Sequence, residues 1–377
     1  AAPLDAMVPA TNPAGLTEVG NRLDLGLVLF NPNREYSAGD IGPFNQAMPG
    51  TVESDTDYFV IPNLGWSKQL DNRSAVGIAL YGNGGMNTDY PERVYYDPDS
   101  DSTGVDLMQL FIAPTLATKL TPTSSIGISP LIAVQFFEAK GLGQFAGGSS
   151  APTKLTNNGH DSSLGFGARI GYLGEITQQL SIGLAYQTKM YMEEYDDYAG
   201  LFAEQGDFDI PANWTVGFAY KPTPAVTLAV DVQRIYYSDI KSINNPLPTS
   251  FFGSSPGDFQ PPLLGENDGP GFAWDDMTVF KIGLQWARSE QWTYRFGYSY
   301  GDQPISSSEV LFNILAPGVI EQHASFGFTY TFANQSELDF SLTYAFENDV
   351  EGNANFGQPI TLTMNQWEVG LGYAWKF

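Results

Sequence analysis

Residues 365–377 close the chain as NQWEVGLGYAWKF. Trp367, Val369, Leu371, Tyr373, Trp375 and Phe377 take every second position, with polar or small residues between them. Period two is the repeat of a β-strand, whose side chains point alternately to opposite faces. A soluble sandwich strand also alternates, so this stretch alone leaves open whether the aromatic row meets a protein core or lipid.

The pattern recurs. QWTYRFGYSYG places Trp292, Tyr294, Phe296, Tyr298 and Tyr300 on one face, and ASFGFTYTF does the same with Phe326, Phe328, Tyr330 and Phe332. LSIGLAY, NWTVGFAY, VFKIGLQW and ELDFSLTYAF repeat it, giving about fourteen strands, an even number as bacterial barrels require. Connections alternate in length. QLDNRS, LTPTSS, GEITQQ, KPTPA, ARSE and ANQS carry tight-turn chemistry. Between them fall the long connections 35–56, 87–103, 141–162, 193–206, 238–276, 302–320 and 349–364. Short turns at one end and long loops at the other describe a transmembrane antiparallel β-barrel with a periplasmic and an outer side. A probe at Ser254 would report the outer side. The aromatic rows then face lipid and the small or polar rows a lumen.

Composition agrees. The 377 residues include 40 glycines and 14% aromatics, and mean hydropathy is −0.17, as two-faced strands give. No apolar run reaches the roughly eighteen residues of a membrane helix. Cysteine is absent, which excludes thiolate metal sites and disulfides. A formal charge of −25 with 17 basic residues makes nucleic acid an improbable partner. The chain begins AAPLDAMVPATNPAG, without a basic region followed by an apolar run, as in a processed chain.

Asn12-Pro13-Ala14-Gly15, in TNPAGLTEVGNRLDLGL, is in itself a turn. In context it resembles the N-P-A segment in the plug of the FadL/TodX family of outer-membrane channels for long-chain fatty acids and monoaromatic hydrocarbons. The resemblance covers nearly the whole chain. IPNLGW and AVGIALYGNGGMNTDY resemble the family's second and third strands, LFIAPTLATKLTPTSSIGISP its fourth and fifth. DIPANWTVGFAYKPTPAVTLAVDVQRIYYSD resembles the eighth and ninth, and WDDMTVFKIGLQWARSEQWTYRFGYSYGDQPI the tenth and eleventh.

The resemblance implies a plug over 1–22 and a barrel over 23–377. The final aromatic carboxylate resembles the ending that outer-membrane assembly machinery reads. The family's third strand bends and opens the wall, letting substrate leave sideways; the matching residues here are Tyr81, Gly82, Asn83, Gly84, Gly85 and Met86. Glycines permit such a bulge, although they could also simply begin a loop. Leu142, Phe145, Leu201 and Phe202 lie in loops that form an apolar entry groove in the family; loop self-packing is the plainer alternative. The chain departs from the pattern twice. Only about twenty residues precede the first strand, where the familiar plug is longer. Asp275 falls where fatty-acid members carry a lysine, and would repel a carboxylate rather than neutralise it. Arg169 and Arg295 point inward by strand parity and could serve an anion, or pair with acids such as Asp231 and Asp339.

Asp97-Pro98-Asp99-Ser100-Asp101 lacks the glycine and closing acid of a calcium loop at the required spacing, so no metal site is expected. GFGARIG lacks the helix that a dinucleotide fingerprint needs. His160 and His323 are the two histidines, the first in a loop and the second at a strand start, and nothing in the sequence pattern assembles either into a triad. The expectation is therefore a monomeric bacterial outer-membrane channel, in contact with lipid and lipopolysaccharide, for hydrophobic small molecules. It needs no cofactor and catalyses no reaction. An aqueous porin is the main alternative, and a barrel phospholipase a lesser one.

Overall fold

The computed structural model describes residues 1–253 and 257–377. Ser254 lies outside the described residues. The strands are β1 Arg22–Ala38, β2 Phe59–Gln69, β3 Ser74–Tyr90, β4 Thr103–Thr121 and β5 Ser124–Lys140. β6 Asp161–Glu175, β7 Leu180–Gln187, β8 Asn213–Thr223, β9 Val226–Ile235 and β10 Met277–Ala287 follow. β11 Trp292–Gly301, β12 Gln322–Thr331, β13 Glu337–Asn353 and β14 Pro359–Lys376 complete the wall. Each pairs antiparallel with its neighbour, and β14 pairs with β1 from Arg22↔Lys376 to Ala38↔Ile360, closing a 14-stranded barrel. Closure pairs strand edges that hydrocarbon could not solvate. Two short strands, Gly50–Glu53 and Tyr191–Met192, extend the wall beside β1 and β6.

Parity sets the faces. Leu27 and Leu371, register partners across the closing seam, are 55% and 58% exposed, while Ala374 on the opposite face is fully buried. The aromatic row of the last strand therefore covers the outside of the barrel.

Several strands run further than the sequence suggests, β3 among them, to Tyr90. β1 runs on to Ala38, and β13 and β14 extend to Asn353 and from Pro359, leaving a turn at 354–358 instead of a loop over 349–364. Beyond the lipid-facing band the apolar parity reverses. Tyr36, Val350, Ile360 and Leu362 turn inward onto a core formed by the long connections. That removes the outward apolar row by which the strand ends could be read. Phe208 belongs to the same core, against Phe202 with ring centroids 4.7 Å apart, so β8 begins later, at Asn213.

Inside the barrel, the segment 1–21 folds as two 3-10 turns, Val8–Ala10 and Pro13–Thr17. Wall glycines make room for it. A Cβ on Gly65 would meet the Ala6 carbonyl carbon at 2.6 Å, and one on Gly127 would meet the Ala14 nitrogen at 2.6 Å. One on Gly77 would meet Leu16 at 3.1 Å.

Candidate functional site

The wall is interrupted between β2 and β3. Their pairing runs from Gln69↔Ala75 to Leu64↔Leu80 and stops there. Beyond that point Phe59–Asn63 pairs with β1, and the upper half of β3 pairs with β4. A register shift between Gly82 and Gly84 leaves Asn83 without a partner in β4, and Gly84 adopts φ +143°, a backbone state that L side chains rarely take. Gly82, Asn83, Gly84 and Gly85 are all exposed, where an ordinary strand would alternate. A Cβ on Gly82 would stand 3.0 Å from Ile61 Cγ2, so the missing side chain makes room for Ile61 of β2 at this edge.

This opening has a frame. Leu64↔Leu80 forms its lower edge. Above it, Arg34 Nη2 donates to Ser54 Oγ at 2.8 Å and to Asn87 Oδ1 at 3.2 Å, while Asp55 N donates to Asp89 O at 2.8 Å. On the lumen side Tyr81 accepts a hydrogen bond from Arg169, and Asn83 lines a cavity of about 700 Å³. Met86, at the far end of the bend, packs against the core of the long connections.

That core forms a roof over the lumen, and Leu142, Phe145, Leu201 and Phe202 meet there around one apolar pocket of about 40 Å³. Five phenylalanines line it, Phe137, Phe145, Phe202, Phe272 and Phe312, and none of its lining residues is charged. Phe145 and Phe312 meet edge to face with centroids 5.4 Å apart. Its one side-chain hydroxyl, on Ser242, is spent on the Asp207 carbonyl. The roof is tied to the bent strand. Thr88 Oγ1 donates to Leu315 O at 2.9 Å, Tyr90 Oη to Ile314 O at 2.9 Å, and Tyr95 Oη to Leu311 O at 2.8 Å.

Asn12 acts as both cap and pin. Its Oδ1 accepts from Ala14 N at 3.1 Å, and its Nδ2 donates to Tyr172 O at 2.9 Å and to Leu184 O at 3.2 Å. Pro13, Ala14 and Gly15 are buried, and Ala14 O accepts from Ser125 Oγ at 3.0 Å. The two inward arginines serve different ends. Arg169 is buried against Pro9 O, Tyr81 Oη and Gln187 Oε1, and among the described residues it makes no ion pair. Arg295 donates to Gln285 Oε1 at 2.9 Å and to Thr329 Oγ1 at 2.6 Å; Thr329 in turn donates to Asp339, so the expected pairing with that acid runs through a hydroxyl.

Asp275 is exposed in the loop before β10, its backbone nitrogen bonded to Pro304 O, and it lines none of the cavities described here. Its neighbour Asp276 pairs with Arg234 at 3.1 Å. Asp97 is fully buried and accepts from Asp99 N, Gly143 N and Asn157 Nδ2, tying two loops together. Among the described residues no cluster of three acidic, histidine or cysteine side chains could hold a metal. His160 lies 3.0 Å from Asp106. His323 Nδ1 stands 3.5 Å from Ser299 Oγ, and no carboxylate bonds its other nitrogen among the described residues, so no triad forms.

Arg34 and the hydroxyls of Thr88, Tyr90 and Tyr95 were not singled out by sequence reasoning. The hydroxyls clustered in Thr88–Tyr95 were the available hint, since buried hydroxyls need acceptors.

Residues 1–376 match the family described as outer membrane protein transport protein (OMPP1/FadL/TodX). No curated protein matches the sequence significantly. Among solved structures, the P. putida toluene transporter TodX aligns over 98% of this chain and 94% of its own, with TM-score 0.71 and 19% identity. A Pseudomonas aeruginosa FadL homologue aligns over 100% and 95%, with TM-score 0.72 and 15% identity. The Ralstonia pickettii toluene transporter TbuX aligns over 98% and 93%, with TM-score 0.64 and 18% identity. At these identities the structural likeness speaks for the fold.

Proposed function

The chain belongs to the OMPP1/FadL/TodX family of outer membrane transport proteins, and from that premise we propose that it admits small neutral hydrophobic molecules and releases them sideways into the bilayer. The observation that carries this reading is the interrupted β2–β3 pairing at Tyr81–Met86, with Asn83 lining the lumen and its neighbours exposed on the wall. Lipopolysaccharide hinders direct partition of apolar solutes, so a route needs an apolar capture site outside and an exit at bilayer depth.

The roof pocket supplies the capture chemistry. Its phenylalanines offer ring edges and faces to an aromatic guest. At about 40 Å³ the pocket is smaller than an aromatic ring, so a guest enters only as the roof side chains part, and a ring that then buried about 150 Å² would gain about 4 kcal/mol at about 25 cal/mol per Å². Losses on association are of similar size, so binding is weak enough for onward release. The lining holds no cation to neutralise a carboxylate, which favours a monoaromatic or similar hydrocarbon over a fatty acid. Two of the structural relatives are described as toluene transporters, which agrees. Residues 1–22 act as a plug, residues 23–377 as the barrel. The protein works as a monomer among outer-membrane lipid and lipopolysaccharide, without cofactor or catalysis.

Uptake of a labelled monoaromatic and of a labelled long-chain fatty acid by cells with and without the protein tests the reading. The monoaromatic should enter several-fold faster with the protein present. A chain that accelerates the fatty acid and leaves the monoaromatic unchanged would overturn the substrate class.

A further inference from the structure

The inward face of β5 changes character at one residue. Leu131 and Ala133 belong to the apolar cluster that holds Tyr81 and Phe111 beside the wall opening, and Phe137 and Ala139 belong to the core of the roof. Gln135 stands between them, 0% exposed. Its Oε1 accepts a hydrogen bond from the Tyr195 hydroxyl at 2.9 Å, and its Nε2 has no partner among the described residues. Ser163, level with it on β6, spends its hydroxyl on the Glu193 carbonyl. The amide carries two N–H groups and Tyr195 brings one hydroxyl, so turning the amide over would still leave an N–H unused. A buried donor without an acceptor destabilises the fold, whereas a leucine here would join the two apolar clusters without that cost.

The surroundings place this donor between capture and exit. Phe137, which lines the roof pocket, is two residues along on the same face of β5, about 7 Å away. Tyr195 packs its ring against Phe137 and Phe202 of that pocket, with centroids 5.6 and 6.0 Å apart, and turns its hydroxyl to Gln135. Gln135, Gln109 and Gly84 are level across β5, β4 and β3, so the bent stretch lies two strand spacings away, about 10 Å. Gln109 reaches that stretch, since a Cβ on Gly84 would lie 3.6 Å from its Oε1.

We propose that the Gln135 amide is a hydrogen-bonding site for the passing solute, and that the preferred guests are neutral aromatics with one oxygen acceptor, such as aryl ketones and esters. The proposal rests on the sideways-release reading above and narrows its substrate class. Displacing Phe137, which a guest in the roof pocket requires, opens the way to the amide beside it on the strand. The aromatic ring then lies among the phenylalanines while its oxygen accepts from Nε2. That oxygen finds no donor in the bilayer core, so the bond is a net gain over lipid, and the low dielectric strengthens it. A hydrocarbon of the same shape gains only the apolar contacts. A carboxylate gains no compensating cation, because the amide is neutral.

Acetophenone and α-methylstyrene share a shape and differ by a carbonyl oxygen against a methylene carbon. Equilibrium dialysis of each, labelled, against the full chain in lipid nanodiscs tests the proposal, with binding expressed relative to partition into protein-free discs. The wild type should favour acetophenone at least fivefold, roughly the worth of one hydrogen bond. Gln135→Leu, or Gln135→Met as an unbranched replacement, should abolish the preference and keep the affinity for α-methylstyrene. Tyr195→Phe keeps the amide and the ring against Phe137, and should keep the preference. Heat-modifiable gel mobility verifies that each barrel is folded. Equal binding of the pair by the wild type, or binding no greater than that of empty discs, would overturn the site. So would a preference that the folded Gln135 variants retain, and its loss in folded Tyr195→Phe would overturn the assignment to the amide. Cellular uptake is measured separately. Protein-dependent monoaromatic uptake without a ketone preference rejects the site and keeps the channel, and a ketone preference without uptake rejects the channel and keeps the site.

Discussion

Arg169 Nη1 donates to the Tyr81 hydroxyl at 2.9 Å and to the Pro9 carbonyl at 2.9 Å. One guanidinium thus joins β6, the foot of the bent strand and the N-terminal segment. Its partners are neutral, so the buried charge is held by hydrogen bonds alone, and each of them counts for more than in water. Arg169→Met leaves the Tyr81 hydroxyl, the Pro9 carbonyl and the Gln187 amide without their donor, at about 1–3 kcal/mol for each group that water cannot reach. Tyr81→Phe removes one acceptor and keeps the tie to Pro9. Limited proteolysis of the folded barrel should therefore release the N-terminal segment from Arg169→Met and leave it protected in Tyr81→Phe. Equal protection in both variants would show that Arg169 does not hold the segment.

Wall glycines offer a second test of the same contact. A Cβ on Gly171 would overlap the Asn12 side chain and come within 2.9 Å of Pro13 Cδ. Gly171→Val should push the segment off the wall without unfolding the barrel, since the strand hydrogen bonds are untouched. Gly283→Val, where a Cβ meets nothing nearer than Phe296 O at 3.7 Å, is the control and should change nothing. A spin label at Thr11 reads the outcome: mobile in Gly171→Val, immobile in the wild type and the control. An immobile label in the folded Gly171 variant would mean that the contact is easily relieved.

The connection 188–212 should respond to pH. Burial, with the neighbouring Asp209 charge second, pushes the Asp207 carboxyl up to about 7, against the opposing pull of Lys189. Lys189 itself bonds Asp209 at 2.7 Å, and Glu204 is the remaining acid nearby. A carboxyl raised in the folded state stabilises the fold while protonated. Its contribution is complete below the ordinary value of 3.8 and is lost as pH rises through about 7. Hydrogen exchange in this connection, compared between wild type and Asp207→Asn at each pH, should show the wild type less protected at pH 8, with the deficit shrinking steadily as pH falls from about 7 towards 3.8. A constant difference across that range would remove Asp207 as the cause.

The barrel was legible because lipid and lumen impose opposite chemistries on alternate residues, as in Trp367–Phe377 against Glu368–Lys376. Where the strands leave the lipid-facing band that contrast disappears, and so the ends of β1, β13 and β14 were misjudged. The roof residues Leu142, Phe145, Leu201 and Phe202 could be noticed as apolar residues without a strand face. Their meeting at one pocket depends on long connections that no short-range pattern encodes. Asp275 was placed by alignment to a strand edge, where a shift of one residue exchanges lumen for solvent; the neighbouring Asp276 is the one with a structural partner. Arg34 could not be found at all, since its acceptors Ser54 and Asn87 come from two other segments.

The wall opening can be tested most directly at Gly82. Gly84 and Gly85 are the intuitive sites, yet both are poor probes. Gly84 sits at φ +143°, and a Cβ on Gly85 would lie 2.8 Å from the Leu107 carbonyl oxygen. Substitution at either position strains the bulge itself, so lost transport could mean lost geometry. Gly82 differs, because its Cβ direction leads towards Ile61 Cγ2 at 3.0 Å, across the gap between β3 and β2. Gly82→Leu should fill the opening with an aliphatic side chain that contacts Ile61, a modest overlap that one rotamer change relieves. Hydrophobic uptake should fall at least tenfold while gel mobility remains that of the wild type. Ile61→Ala in the Gly82→Leu background should restore part of the uptake, because it returns space on the opposite edge. Unimpaired uptake by folded Gly82→Leu protein would mean that substrate does not leave between β2 and β3. Lost uptake without rescue by Ile61→Ala would place the block in β3 itself rather than in the gap.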